Sequence, residues 1–156
     1  MIKSRVPAPI IKAGLTGALT VAAGFIGYFE GRSLFAYLDP VGIPTICEGV
    51  TRGVKLGDAR TPEQCDAALA EEVRRHAAVV DKYVHVPMSP NTYAAVVSFV
   101  YNVGEGSFRG STLLRKLNAG DRVGACNEMP KWVYAKGRKL GGLVRRREVE
   151  RQLCLN

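Results

Sequence analysis

Seventeen consecutive residues, Ala13 to Phe29, carry no charge, and the residue that ends the run is an acid, Glu30. A segment apolar on every side must be buried all round, either in lipid or inside a fold. Seventeen residues is the short limit for a helix crossing about 30 Å of hydrocarbon. Lys3, Arg5 and Lys12 precede the run with no acid before Glu30. The positive-inside rule gives such a chain a cytoplasmic N-terminus and places the rest outside. As a membrane span the run is poor, since Gly14, Gly17, Gly24 and Gly27 with Thr16 and Thr20 leave few large side chains to hold it in lipid. A segment held that weakly is able to leave. Two other readings stay open. A cleaved signal peptide has the same basic-then-apolar plan, with Thr20-Val21-Ala22 as a small-x-small site and loss of Met1 to about Ala22. A buried core helix of a cytosolic protein also suits the run, but then the basic flank has no use.

After Glu30 the pattern changes to that of a folded domain. With 156 residues, 47% of them hydrophobic, one globular unit plus a terminal element is expected. Residues 35 to 51 mix aromatic and β-branched residues with Asp39-Pro40, Gly42, Pro44 and Gly49, which predicts short strands and tight turns. Thr61-Pro62-Glu63-Gln64 combines an N-cap threonine, a proline at the first helical position and a glutamine able to close a capping box, so a long helix is expected to about Val84. Ser89-Pro90 repeats that start, Ser111 opens a helix closed near Gly120, Asp121 caps another, and Leu143 to Leu153 forms the last. The fold class is α+β: a small β-sheet lobe and a larger helical lobe joined by a long helix, with an N-terminal apolar helix.

The chemistry-bearing residues gather just after the run. Glu30, Asp39 and Thr45 lie within sixteen residues, separated by turn formers that let a helix-end glutamate and a loop aspartate face one cleft. Glycosidic cleavage needs one carboxyl to hand a proton to the leaving oxygen and a second, ionised one across the sugar. Glu30, beside Tyr28, Phe29 and Leu34, is the better placed to keep its proton, because desolvation disfavours the charged form. As spacing alone this is a weak signal, since Asp39-Pro40 is also an ordinary turn.

The stretch FEGRSLFAYLDPVGIPTICEG, however, resembles the active-site segment of phage-type, T4 lysozyme-like glycoside hydrolases, which run Glu-x8-Asp-x5-Thr through the same EG, AY-x-DP-x-G and PTI elements. SFVYNVGEGSFRGSTLLRKLNAGD (98 to 121) is similar to that family's central helical segment and GGLVRRREVERQLC (141 to 154) to its terminal one. The resemblance covers about residues 30 to 156 in order, and implies a lysozyme-like fold and an endolysin of the signal-anchor-release kind. It implies hydrolysis of the β-1,4 bond between N-acetylmuramic acid and N-acetylglucosamine, with inversion, for host cell lysis, and no metal or other cofactor. Glu30 then takes the place of the general acid, Asp39 that of the carboxylate that activates water, and Thr45 that of the hydroxyl that orients it. Residues 1–29 become a releasable signal-anchor and 30–156 the catalytic domain. The partners are peptidoglycan and, through the N-terminal segment, the bacterial inner membrane, with the enzyme a periplasmic monomer once released. A cleaved signal peptide on the same domain, or a non-catalytic wall-binding protein tethered to the membrane, are the alternatives. The family often has Gly-Tyr-Gly-His-Thr after PTI, whereas this chain has Cys47-Glu48-Gly49-Val50-Thr51. Glu48 is expected to point to solvent.

The net charge of +8 lies at the two ends: residues 131 to 156 hold eight basic residues against Glu148 and Glu150, while residues 30 to 130 are nearly balanced. That favours an anionic lipid or wall surface, and the balanced middle argues against a nucleic-acid partner. Arg145-Arg146-Arg147 reads as the solvated face of an amphipathic helix, with Leu143, Val144, Val149 and Leu153 toward the core. Asn102 is expected to cap a helix end, and Trp132 and Tyr101 to be core. The four cysteines lack the close ligand pairs of a zinc site. In an exported chain they allow two disulfides among three connectivities, and Cys47–Cys65 with Cys126–Cys154 keeps each bridge local.

Overall fold

The computed structural model describes residues 17–156. The basic residues Lys3, Arg5 and Lys12 and the start of the uncharged run, with that part of the anchor assignment, lie outside the described residues. The chain forms two compact units that meet in sequence between Arg74 and Arg75.

The first unit opens with helix α1 (Gly17–Glu30), which buries Ala22, Ala23 and Ile26 completely and ends on the acid. Among the described residues no helix is long and apolar enough to cross a membrane. Gly31 terminates α1: its φ of +69° lies where residues with a side chain are strained, and its N–H still reaches the Gly27 carbonyl at 3.2 Å. Strands β1 (Ser33–Leu38) and β2 (Pro44–Cys47) then pair antiparallel, with Tyr37 opposite Thr45 and a register shift between Ser33 and Tyr37. Leu34 and Ala36 point inward onto a small core of Ile46, Cys47, Val50, Val54 and Cys65, while Phe35 on the alternate face is 70% exposed. Helix α2 (Pro62–Tyr83) starts on the capping box foreseen from the sequence: Gln64 Oε1 accepts from the Thr61 N–H at 2.8 Å, and Thr61 Oγ1 accepts from the Gln64 N–H at 3.2 Å. It begins in the first unit and ends in the second.

The second unit is helical: α3 (Pro90–Val103), α4 (Glu105–Arg109), α5 (Thr112–Asn118), α6 (Arg122–Cys126), a 3-10 turn (Met129–Lys131), strands β3 (Tyr134–Ala135) and β4 (Arg138–Lys139), and α7 (Gly141–Leu155). Every residue from Ala94 to Val100 is buried, so α3 is wrapped on all sides and serves as the unit's axis. Ser89, Ser111 and Asp121 cap α3, α5 and α6 through their side chains. The disulfide Cys126–Cys154 joins α6 to α7 with Cα atoms 5.7 Å apart. The β3–β4 hairpin, closed by Lys136 at φ +49° and Gly137, was not foreseen, because two-residue strands leave no periodicity to detect.

Helix α7 corrects the expectation of a solvated arginine face. Arg146 and Arg147 are 3% and 1% exposed and both bond Glu150, which is completely buried. Ser98 Oγ donates to Glu150 Oε1 at 2.7 Å, Arg147 Nε donates to the Trp132 carbonyl at 3.0 Å, and the Arg147 guanidinium stacks 5.0 Å above the Phe99 ring. Val144, assigned to the core by its hydropathy, is 39% exposed. A planar guanidinium with several fixed donors suits such a site, where each donor meets an acceptor. Asn102 is likewise not a cap: its Oδ1 accepts from Arg147, and Gly104 ends the helix. Trp132 packs edge-on against Phe99, as a core residue does. Replacing Glu150 by Ala removes the acceptor that two buried arginines share. The unfolding free energy, measured by urea titration, is expected to fall by about 3–5 kcal/mol, and by far less when the exposed pair is lost in Glu105→Ala.

Candidate active site

The three residues singled out in the sequence all fall in the first unit. Glu30 is the last residue of α1 and half-buried. Tyr28 does not shield it, being 82% exposed and turned onto the edge of the Phe29 ring. Asp39 sits in the β1–β2 turn, where its Oδ1 accepts from the backbone N–H groups of Val41 and Ile43, both at 2.9 Å. The turn closes beneath it through Asp39 N–H to the Ile43 carbonyl at 3.0 Å and Gly42 N–H to the Asp39 carbonyl at 2.9 Å. Thr45 follows in β2, 3% exposed, and its hydroxyl donates to the Ile43 carbonyl at 2.9 Å. The Ile43 backbone therefore ties the two together, holding Asp39 by its N–H and Thr45 by its carbonyl.

This arrangement has chemical consequences. Two amide donors on one oxygen orient the Asp39 carboxylate, and its Oδ2 makes no hydrogen bond among the described residues. A threonine hydroxyl that spends its proton on a carbonyl presents lone pairs, so it accepts rather than donates toward a third group.

Glu30 stands against the turn at the far end of β2. Ile46 and Val50 exchange both backbone hydrogen bonds at 2.9 Å, closing a turn of Cys47, Glu48 and Gly49. Cys47 and Gly49 both have left-handed backbones, φ +56° and +84°, and a Cβ added to Gly49 would stand 3.5 Å from Glu30 Oε2. The bridge Cys47–Cys65, with Cα atoms 5.2 Å apart, pins that turn to α2. Its sulfurs are spent on each other, so they offer no thiolate pair to a metal despite the clustering of Cys47, Glu48 and Cys65.

The expectation that Glu48 points to solvent is overturned. It is 2% exposed, and Arg32 Nε donates to its Oε1 at 2.5 Å while Arg32 Nη2 donates to Asp66 Oδ1 at 2.6 Å. The cause is covalent: each half-cystine is followed by an acid, Cys47-Glu48 and Cys65-Asp66, so the bridge brings two carboxylates together and a cation must separate them. Arg32 and Asp66 were not singled out in the sequence, although pairing Cys47 with Cys65 would have pointed to them. Burial pushes the Glu48 carboxyl above its ordinary value, the pull of Arg32 only partly offsetting it.

Residues 27–150 match the family model for phage lysozyme. The chain belongs to the phage lysozyme family. It is 44% identical over 127 residues to the SAR-endolysin of Enterobacteria phage PA-2, covering 81% of this chain and 77% of that protein. It is 38% identical over 153 residues to the SAR-endolysin of Bacteriophage PS34, covering 94% and 92%. Its structure superposes on the active form of the P1 phage endolysin Lyz with a TM-score of 0.84 at 29% identity, covering 94% of this chain and 89% of that one. The protein is a muramidase endolysin, a lysozyme that acts on peptidoglycan, and its lysozyme fold is the one expected from the sequence.

A buried acid whose folded proton affinity is raised adds stability fully present below its ordinary value and lost as pH rises through the raised one. Glu48→Gln carries no such charge. In urea titrations at about pH 4 and about pH 7, wild type is expected to lose ground to Glu48→Gln at the higher pH.

Proposed function

We propose that this lysozyme hydrolyses the β-1,4 bond between N-acetylmuramic acid and N-acetylglucosamine with inversion, through Glu30, Asp39 and Thr45. Glu30 gives its proton to the leaving glycosidic oxygen, and Asp39 takes the proton of a water that attacks the opposite face of the sugar. Thr45 accepts a hydrogen bond from that water and fixes its direction. The observation that carries this reading is the Ile43 tie, which orients the Asp39 carboxylate through one oxygen and turns the Thr45 hydroxyl into an acceptor. In a turbidity assay on purified peptidoglycan, Glu30→Gln and Asp39→Asn are each expected to lower the rate by at least about 10²-fold. A first-formed product of inverted anomeric configuration, read by NMR, is the expected stereochemical outcome, and retention would sink the water-activating role.

The export route belongs to the same proposal. Residues 1–29 carry the chain to the host inner membrane as an uncleaved signal-anchor, and the domain from Glu30 onward works in the periplasm after the segment leaves the lipid. Two observations support it: the relatives from phages PA-2 and PS34 bear the name SAR-endolysin, and α1 buries Ala22, Ala23 and Ile26 in the folded protein before ending at Glu30. Cleavage after Ala22 would discard the first part of that helix. While α1 is in lipid, Glu30 is one residue from the embedded Phe29 and its turn cannot assemble. Intact mass of the soluble, active protein should match the uncleaved chain, and the membrane-bound fraction should stay inactive until the membrane potential is collapsed.

A further inference from the structure

Arg32 lies two residues beyond Glu30, and its guanidinium reaches two acids on two other elements. Glu48 belongs to the turn that faces Glu30, and Asp66 to α2. Glu48 and Asp66 are 2% and 6% exposed, while the Arg32 side chain is 31% exposed. The wall is held at three points: the Ile46–Val50 backbone pair, the Cys47–Cys65 bridge and the Arg32 fork. The first two fix the turn to β2 and α2. The fork joins it to the chain that leaves Glu30, across Gly31, whose left-handed backbone gives no side-chain contact of its own.

We propose that Arg32, Glu48 and Asp66 form a positioning clamp that sets the Glu30 carboxyl against the Cys47–Gly49 turn. The inference rests on the reading of Glu30 as the proton donor, and concerns how that donor is placed. The gap is narrow, since Glu30 Oε2 lies within van der Waals reach of where a Gly49 Cβ would stand, 3.5 Å. Any swing of the turn moves the surface on which the acid rests. A bidentate guanidinium between two buried carboxylates resists such a swing in two directions at once, which a lysine or a single pair does not. Glu48 is a costly group to bury, so its role is not explained by stability alone.

The test is steady-state kinetics on a soluble peptidoglycan glycan strand, with stability measured in parallel by urea titration at neutral pH. Glu48→Ala removes one arm of the clamp together with the buried charge. Its kcat is expected to fall about tenfold with KM unchanged within about twofold, while its urea midpoint is not lowered. Glu48→Gln keeps an acceptor for Arg32 and should restore most of kcat. Arg32→Ala should fall as far as Glu48→Ala, and the double variant no further, because the groups act as a unit. Should Arg32→Ala fail to fold, the Glu48 pair of variants decides. Arg52→Ala, which breaks the ion pair with Glu72 elsewhere in the same unit, serves as the control and should leave kcat and KM alone. Wild-type kcat in Glu48→Ala, or a loss matching its unfolded fraction, would overturn the clamp. Glu30→Gln in the same assay separates the two readings: if it is inactive while Glu48→Ala is normal, only the clamp falls. If Glu30→Gln retains activity, both fall.

Discussion

The bridge between Cys47 and Cys65 constrains the first unit more than any other contact, because it determines what must lie beside it. It closes a small apolar core that a lobe of two short strands could scarcely fill, with Ile46, Val50 and Val54 packed around the sulfurs. It also forces Glu48 and Asp66 to share one neighbourhood, a juxtaposition tolerated only because Arg32 enters between them. Since Arg32 follows Glu30 by two residues, the same requirement draws the end of α1 toward the turn of β2. The left-handed backbones at Gly31, Cys47 and Gly49 are the points at which the chain bends to permit it.

The second unit follows the same logic with its own bridge and its own buried charges. Cys126–Cys154 fixes α7 to α6, and Glu150 gathers Arg146, Arg147 and Ser98 alongside the wrapped helix α3. Both units thus place arginine against buried carboxylate next to a local disulfide. Such groups specify one arrangement of their elements, since a slipped register would leave charges unpaired in an apolar setting.

The proposed catalytic geometry of this lysozyme is built from backbone as much as from side chains. The peptide at Ile43 holds Asp39 on one side and Thr45 on the other, and the peptide at Gly49 faces Glu30. Peptide groups in a closed turn are stiff, so they orient a carboxylate without the rotamer entropy that a side-chain partner would bring.

The sequence by itself determined the family, the α+β plan and the capped helix starts at Thr61, Ser89, Ser111 and Asp121. Each of these rests on residues close in the chain or on a motif of fixed spacing. Glu30, Asp39 and Thr45 stand out as candidates for the same reason, as one short segment. What only the tertiary structure decided is where charge goes. Hydropathy sent Glu48, Arg146 and Arg147 to solvent, and the fold buried them, because a charged group can enter a core once packing closes around it and its opposite charge. Arg32 meets Asp66 across thirty-four residues and Ser98 meets Glu150 across fifty-two. No local pattern encodes such a meeting, since the favourable energy exists only after the chain has closed the distance.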